Sequence, residues 1–282
     1  MEPIVSKRWL LARMYEPDLV IVDCRFELGQ PEAGRAAYDA AHIPGAVYLD
    51  LEQDLSAPVT THGGRHPLPA PDELAARFAR AGIGNATRVV AYDDQGGMNA
   101  SRLWWLLRWL GHDEVYVMDE GFAAWQAGGY PVTSERRTIV PAAFTPSPRP
   151  HLLAEVRDIR RALSDPGVLL VDSRAADRYA GRQEPLDAKA GHIPGAINRF
   201  WKQVLDDSGS WKSEGELREQ LAPVIAALDE GREAIVYCGS GVSACPNVLA
   251  LYRLGYPQVK LYAGSWSDWI SYPENPIATG EE

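Results

Sequence analysis

The chain has 282 residues, 46% of them hydrophobic and 23% charged, with a formal net charge of −10 from 28 basic and 38 acidic side chains. Such a composition predicts a buried core in one large or two ordinary domains and excludes disorder. The acidic balance argues against broad nucleic-acid binding or attachment to an anionic membrane, yet a pocket with local donors can still hold a small anionic substrate.

No apolar run approaches the ~20 residues of a membrane span. Lys7, Arg8 and Arg13 interrupt the N-terminal stretch where a signal peptide would carry its apolar core. A cytoplasmic protein with no membrane partner is the expectation. Cys24, Cys238 and Cys245 are too few and too unevenly placed for a disulfide framework or a tetrahedral metal site, so free thiols and no cofactor are expected.

In chain order, residues 6–14 predict a short amphipathic helix capped by Ser6. Leu19 to Val22 is a buried strand ending in Asp23-Cys24-Arg25, and Ala41-His42-Ile43-Pro44-Gly45-Ala46-Val47 is a turn leading into a short strand. A Gly- and Pro-rich loop follows, and Asp72-Glu73 opens a helix. Residues 88–92 predict a strand, 98–110 an apolar helix containing Trp104-Trp105, and 115–117 a strand. A last helix around Trp125 ends at Gly128-Gly129.

The second half repeats these landmarks. Asp172-Ser173-Arg174 echoes Asp23-Cys24-Arg25 at 172 − 23 = 149, and His192-Ile193-Pro194-Gly195-Ala196 echoes His42 to Ala46 at 192 − 42 = 150. Gly255 echoes Gly111, and Trp269 echoes Trp125, both at 144 (255 − 111 and 269 − 125). A period this long means duplicated domains rather than a solenoid, whose units run ~20–50 residues. Strands alternating with helices make each half α/β, a mostly parallel sheet flanked by helices. The expected division is 1–135, a proline-rich linker at 136–153, and 154–282.

The repeat breaks at one informative place. Residues 234–237 predict a buried strand, followed by Cys238, then Gly239-Ser240-Gly241-Val242-Ser243, then a helix. A turn of this kind aims backbone N–H groups inward, and a helix start favours an anion, the setting in which reactive thiolates form. The first half has Asp93-Asp94 there, so one half carries a nucleophile that the other lacks. Cys24 and Cys245 read as packing residues, with a resolving-thiol role the lesser reading of Cys245. His42 and His192 occur in both halves and therefore read as structural, tying their turns to the Asp-x-Arg strands. Trp266 and Trp269 are candidates for walling the cleft.

Together, the two Asp-x-Arg strand ends, the two His-Ile-Pro-Gly-Ala turns, the Trp104-Trp105 helix and the Cys238 loop resemble the tandem-domain rhodaneses, or sulfurtransferases. The resemblance runs over roughly residues 5–277 and implies two rhodanese-like domains, the first inactive and the second catalytic. It implies that Cys238 takes a sulfane sulfur from a small anionic donor and passes it, as a persulfide, to cyanide, a thiol or a protein acceptor. The backbone of Gly239, Ser240, Gly241, Val242 and Ser243 would cradle the anion, and Arg178 would bind the donor's acidic group. The neutral Gly239-Ser240 pair is similar to the loop of 3-mercaptopyruvate members and points to that donor; thiosulfate is the alternative. In those members a second arginine is usual nine residues after the first. Here position 187 is Asp, with Arg182 nearby as a stand-in. A proton relay is implied at Ser240, His66 and Glu52, placing the site at a domain interface. Two other classes fit the residues less well. A cysteine phosphatase would need an arginine at position 244, which is Ala. A non-catalytic rhodanese binding module usually loses the cysteine that Cys238 retains.

Overall fold

The computed structural model describes residues 2–281. In the first half β1 is Ile4–Val5, β2 Leu19–Asp23, β3 Val47–Tyr48, β4 Arg88–Tyr92 and β5 Val115–Met118. In the second, β6 is Leu153–Ala154, β7 Val168–Asp172, β8 Ile197–Asn198, β9 Glu233–Tyr237 and β10 Lys260–Tyr262. These make two five-stranded sheets of order β1-β5-β4-β2-β3 and β6-β10-β9-β7-β8, with every named strand pair parallel. Parallel sheets are covered on both faces, which is why the central strands read as unbroken apolar runs. The central pairs share one register: Asp23 lies beside Tyr92, and Asp172 beside Tyr237.

The helices of the first half are α1 Lys7–Leu11, α2 Ala33–Ala40, α3 Pro71–Arg80, α4 Met98–Trp109 and α5 Gly121–Ala127. Those of the second are α6 Val156–Ala162, α7 Ala176–Tyr179, α8 Glu214–Gln220, α9 Ala222–Asp229, α10 Cys245–Arg253 and α11 Ser265–Trp269. Ser6 caps α1 as expected, its Oγ accepting the Trp9 N–H at 3.2 Å. No helix among the described residues is long and apolar enough to cross a membrane.

By internal contacts the chain divides into two units: Met1–Ala57 with Pro69–Arg149 and Asp207–Trp211, and Pro58–Leu68 with Pro150–Asp206 and Lys212–Glu282. This differs from a single cut at 136–153. Residues 134–149 form no helix or strand, but Phe144 is buried edge-on to Phe78 at 5.8 Å, so this stretch packs along the first unit. Leu153, expected in the linker, is already in β6. The Pro58–Leu68 loop, which carries His66, goes with the second unit.

Each unit repeats one buried ionic frame. Arg174 donates from Nη2 to Asp172 Oδ2 at 2.7 Å and to the Gly191 carbonyl at 2.6 Å; Arg25 does the same to Asp23 and the Ala41 carbonyl, at 2.7 and 2.6 Å. It is therefore the arginine that ties the His-Ile-Pro-Gly turn to its strand. His42 and His192 serve the turns in another way. Their Nδ1 atoms meet the carbonyls of Tyr38 and Tyr179 at 2.7 and 2.8 Å, and their backbones bridge to Thr133 and Ala278. Both imidazoles are fully buried.

His112 is buried too, 5.9 Å from the Phe144 ring. Burial holds its imidazole below the usual 6.5, against the pull of a Thr87 backbone bond and of Asp113 and Glu114. A depressed base stays neutral in the fold while the unfolded chain takes up the proton. Stability is therefore lost as pH falls through the unfolded value. Denaturation midpoints should drop between about pH 7.5 and about pH 5.5, and His112→Gln should flatten that step. An equal drop in the variant would assign it to other groups.

Candidate active site: the Cys238 loop

β9 ends at Tyr237, and the chain turns through 239–244 before α10 begins. Cys238 is 1% exposed. The turn at the start of α11 bolts the loop down from one side. The Cys238 N–H donates to Ser265 Oγ at 3.1 Å, and the Ser265 hydroxyl donates to the Tyr262 carbonyl at 2.8 Å. Trp266 N–H and Ser267 N–H donate to the carbonyls of Cys238 and Gly239 at 3.0 and 2.9 Å. Ser265 has φ +56°, the single non-glycine residue in the left-handed region among those described. Its counterpart in the first unit is Gly121 (265 − 121 = 144), at φ +73°. The cost of roughly 1–3 kcal/mol for such a conformation is offset by the bond that Ser265 alone can give the Cys238 amide. On the other side, a Cβ at Gly241 would lie 2.1 Å from the Ala263 carbonyl oxygen, and φ there is +77°. Only glycine fits.

The equivalent loop of the first unit shows what this backbone does with an anion. Asp93 is the counterpart of Cys238 (238 − 93 = 145) and is 1% exposed. Its Oδ1 accepts from Gln95 and Gly97 N–H, both at 2.8 Å, and its Oδ2 from Asn99 and Ala100 N–H at 2.8 and 3.0 Å. Burial pushes its carboxyl up, and these four donors pull it down. In the second unit the N–H groups of Gly239, Ser240, Val242, Ser243 and Ala244 take no acceptor from the described residues. All of these residues but Ser243 are buried, and buried amides left in this way are rare in folded chains.

Ser240, in the loop, meets His66 Nδ1 at 2.7 Å; both side chains are buried. His66 arrives on Pro58–Leu68, which docks against the α11 turn within the second unit. Gly63 N–H donates to Asp268 Oδ1 at 2.7 Å, Arg65 N–H donates to Ser267 Oγ at 3.1 Å, and His62 stacks on Tyr272 at 4.1 Å. Ser240 and His66 thus come together inside one unit, and the expectation of an interface site is corrected on that point. Glu52, the weak third member of the relay, belongs to the first unit, where it is exposed and its N–H donates to Asp50.

Arg178, on α7, also reaches the loop. A Cβ at Gly239 would lie 3.5 and 3.6 Å from its Nη2 and Nη1, and 2.9 Å from Nη2 of Arg65. Arg178 binds Glu184, with Nη2 to Oε1 at 2.7 Å, and Asp187 Oδ2 at 2.9 Å; Arg65 Nη1 pairs with the other oxygen of Asp187. Sequence reading chose Arg178 and missed Arg65. It adjoins His66 in the sequence but has no periodic or motif signal of its own. Arg182, the stand-in, is half exposed and engaged with Asp177 and Glu281, both at 2.8 Å.

Trp266 and Trp269 are core rather than cleft walls: both are fully buried, with indole N–H groups donating to the Lys189 and Pro276 carbonyls. Cys245 is also packed, its Sγ 3.3 Å from the Gly241 carbonyl. Burial and the nearby Asp93 and Asp23 keep the Cys24 thiol protonated, its pKa well above the usual value. A cleft of about 400 Å³ opens between Gly63, Pro67, Leu153 and Asp268, and none of the sequence-selected residues lines it. No group of three or more His, Cys, Asp or Glu among the described residues is arranged to hold a metal.

The family model for the rhodanese-like domain matches twice, at residues 6–128 and 155–272. A probable 3-mercaptopyruvate sulfurtransferase of Pseudomonas aeruginosa is 45% identical, over 99% of this chain and 98% of that protein. A putative thiosulfate sulfurtransferase, SseB, of Mycobacterium tuberculosis is 38% identical over 92% and 90%. Among solved structures, the 3-mercaptopyruvate sulfotransferase SseA of Escherichia coli superposes with a TM-score of 0.83 at 32% identity, covering 95% of this chain and all of that one. With both domains matched and the likeness running from end to end, this chain belongs to the rhodanese family, among its two-domain sulfurtransferases.

Proposed function

We propose that this sulfurtransferase moves a sulfane sulfur from 3-mercaptopyruvate to a thiol or cyanide through a persulfide on Cys238. What carries the reading is the contrast between the two loops. Where the first unit closes four backbone N–H groups on the Asp93 carboxylate, the second has a cysteine and amides with no acceptor among the described residues. A thiolate, and then a longer persulfide anion, is the group that such a loop stabilises. The cytoplasm is the proposed compartment, in keeping with three cysteines that form no disulfide among the described residues.

The step balances as follows. The Cys238 thiolate attacks the donor sulfur and the C–S bond breaks, leaving its electron pair on carbon as the enolate of pyruvate. The proton of the donor thiol ends on that carbon. Cysteine thiolate and mercaptopyruvate thus give persulfide anion and pyruvate. Ser240 Oγ, hydrogen-bonded to His66, is the group proposed to pass this proton. The acceptor then attacks the outer sulfur and regenerates the thiolate.

Steady-state rates with 3-mercaptopyruvate and with thiosulfate, each with cyanide or a thiol as acceptor, test the donor. Higher kcat/KM with mercaptopyruvate is expected; a strong thiosulfate preference would overturn the donor and keep the persulfide. His66→Ala should lower kcat for mercaptopyruvate by about 10²-fold or more and alter its pH profile, because a carbon must be protonated, and should spare thiosulfate, which needs no such proton. An unchanged pH profile and rate would remove the relay. A non-catalytic binding module would turn over neither donor.

A further inference from the structure

We infer that Arg65 and Arg178 together form the subsite for the donor's carboxylate, and that Asp187 occupies it in the resting protein as an internal competitor. The inference rests on the sulfur-transfer reading of Cys238 and adds the residues that choose among donors. Three observations carry it. Both guanidinium groups lie against Gly239, the residue next to Cys238, at 2.9 and 3.5 Å from where a Cβ would stand. A side chain at 239 would fill the place where they meet. Second, Asp187 bridges them, one carboxylate oxygen to each arginine. A carboxylate already held in this way beside the nucleophile is the arrangement that the carboxylate of an α-keto acid donor would adopt. Third, the Arg65 Nε–H is buried with no acceptor among the described residues, so Arg65 keeps a donor for an incoming oxygen.

Charge then determines how the subsite works. Arg65, Arg178, Glu184 and Asp187 sum to zero. Glu184 is fixed by Arg174 as well as by Arg178. A donor carboxylate entering this neutral cluster would bring an unpaired negative charge into it unless Asp187 left. Asp187 lies in residues 181–190, which form neither helix nor strand, so its release would break no helix or sheet. The donor therefore binds by exchange of one carboxylate for another. Affinity for anionic donors is held below what two arginines alone would give, and donors without an acidic group gain nothing from the pair.

The test uses Asp187→Asn and Arg65→Gln in the full chain. Each is assayed with 3-mercaptopyruvate and with mercaptoacetone, which has the same thiol and ketone and no carboxylate. Pyruvate binding is measured by calorimetry alongside. Asp187→Asn should tighten pyruvate and lower the KM for mercaptopyruvate by about tenfold, and Arg65→Gln should weaken both by a similar factor. The ratio of kcat/KM between mercaptopyruvate and mercaptoacetone should rise in the first variant and fall in the second. Opposite signs are the signature, since damage to the loop would weaken both variants. Weaker pyruvate binding in Asp187→Asn, or an unmoved donor ratio in either variant, would overturn the inference. Failure of the sulfur-transfer reading would look different: no turnover of either thiol by the native chain, with the pyruvate titrations still deciding the subsite.

Discussion

Serine in place of Cys238 should lower turnover of 3-mercaptopyruvate and of thiosulfate by about 10³-fold or more, with the fold unchanged. The loop is held by main-chain groups: the residue 238 N–H to Ser265, its carbonyl to Trp266, and the Gly239 carbonyl to Ser267. None of these depends on sulfur, so the hydroxyl of Cys238→Ser should sit where the thiol sat. A hydroxyl cannot carry a sulfane sulfur, and it ionises far less readily than a thiol. Equal denaturation midpoints for the two chains would show that the loss is chemical. Rates within a few-fold of native would mean that Cys238 is not the carrier.

The second large effect is on stability. Arg174→Met should cost about 3–5 kcal/mol of unfolding free energy, read from denaturant midpoints. Arg174 is fully buried and pairs with Asp172, also fully buried; it also reaches Glu184 at 3.3 Å and the Gly191 carbonyl, and lies 4.7 Å over the Trp266 ring. Methionine fills much of the volume but leaves Asp172 buried without its cation, while Glu184 keeps Arg178, and the stranded aspartate is the dominant penalty. The same change in the first unit, Arg25→Met, should cost less. Arg25 keeps some solvent access, whereas the Arg174 side chain keeps none. Equal and small losses at both positions would contradict the role given to this frame.

How much of this could be read from the residues follows from the kinds of force involved. Val20 to Val22, Val89 to Ala91 and their partners in the second half are unbroken apolar runs because parallel strands are buried on both faces, and such runs are visible in any sequence. The two-residue edge strands Ile4–Val5 and Leu153–Ala154 are too short for a period and exist through main-chain pairing with β5 and β10, so the expected linker at 136–153 runs one residue into β6. Cys238 stood out because the duplication supplies its own control in Asp93. What that aspartate does, filling the ring of N–H groups, depends on how the loop folds around it and has no sequence pattern. Arg65 was hidden for a different reason. It reaches Asp187 through a loop docked on the α11 turn, an encounter 122 residues apart in the chain. The legible trace was Gly63-Gly64: a Cβ at Gly64 would lie 2.4 Å from the Gly264 carbonyl oxygen, so the loop approaches the turn closely only with glycine there. Asp187, met in the sequence as a missing arginine, is in the fold the partner of two arginines.

The central claim is a sulfur atom carried on one named thiol. Intact-protein mass spectrometry after incubation with 3-mercaptopyruvate, followed by peptide mapping, measures it directly. The account predicts a gain of one sulfur on the peptide bearing Cys238, removed by cyanide and absent from Cys238→Ser. No gain, or a gain on Cys24 or Cys245 with Cys238 unmodified, would contradict it.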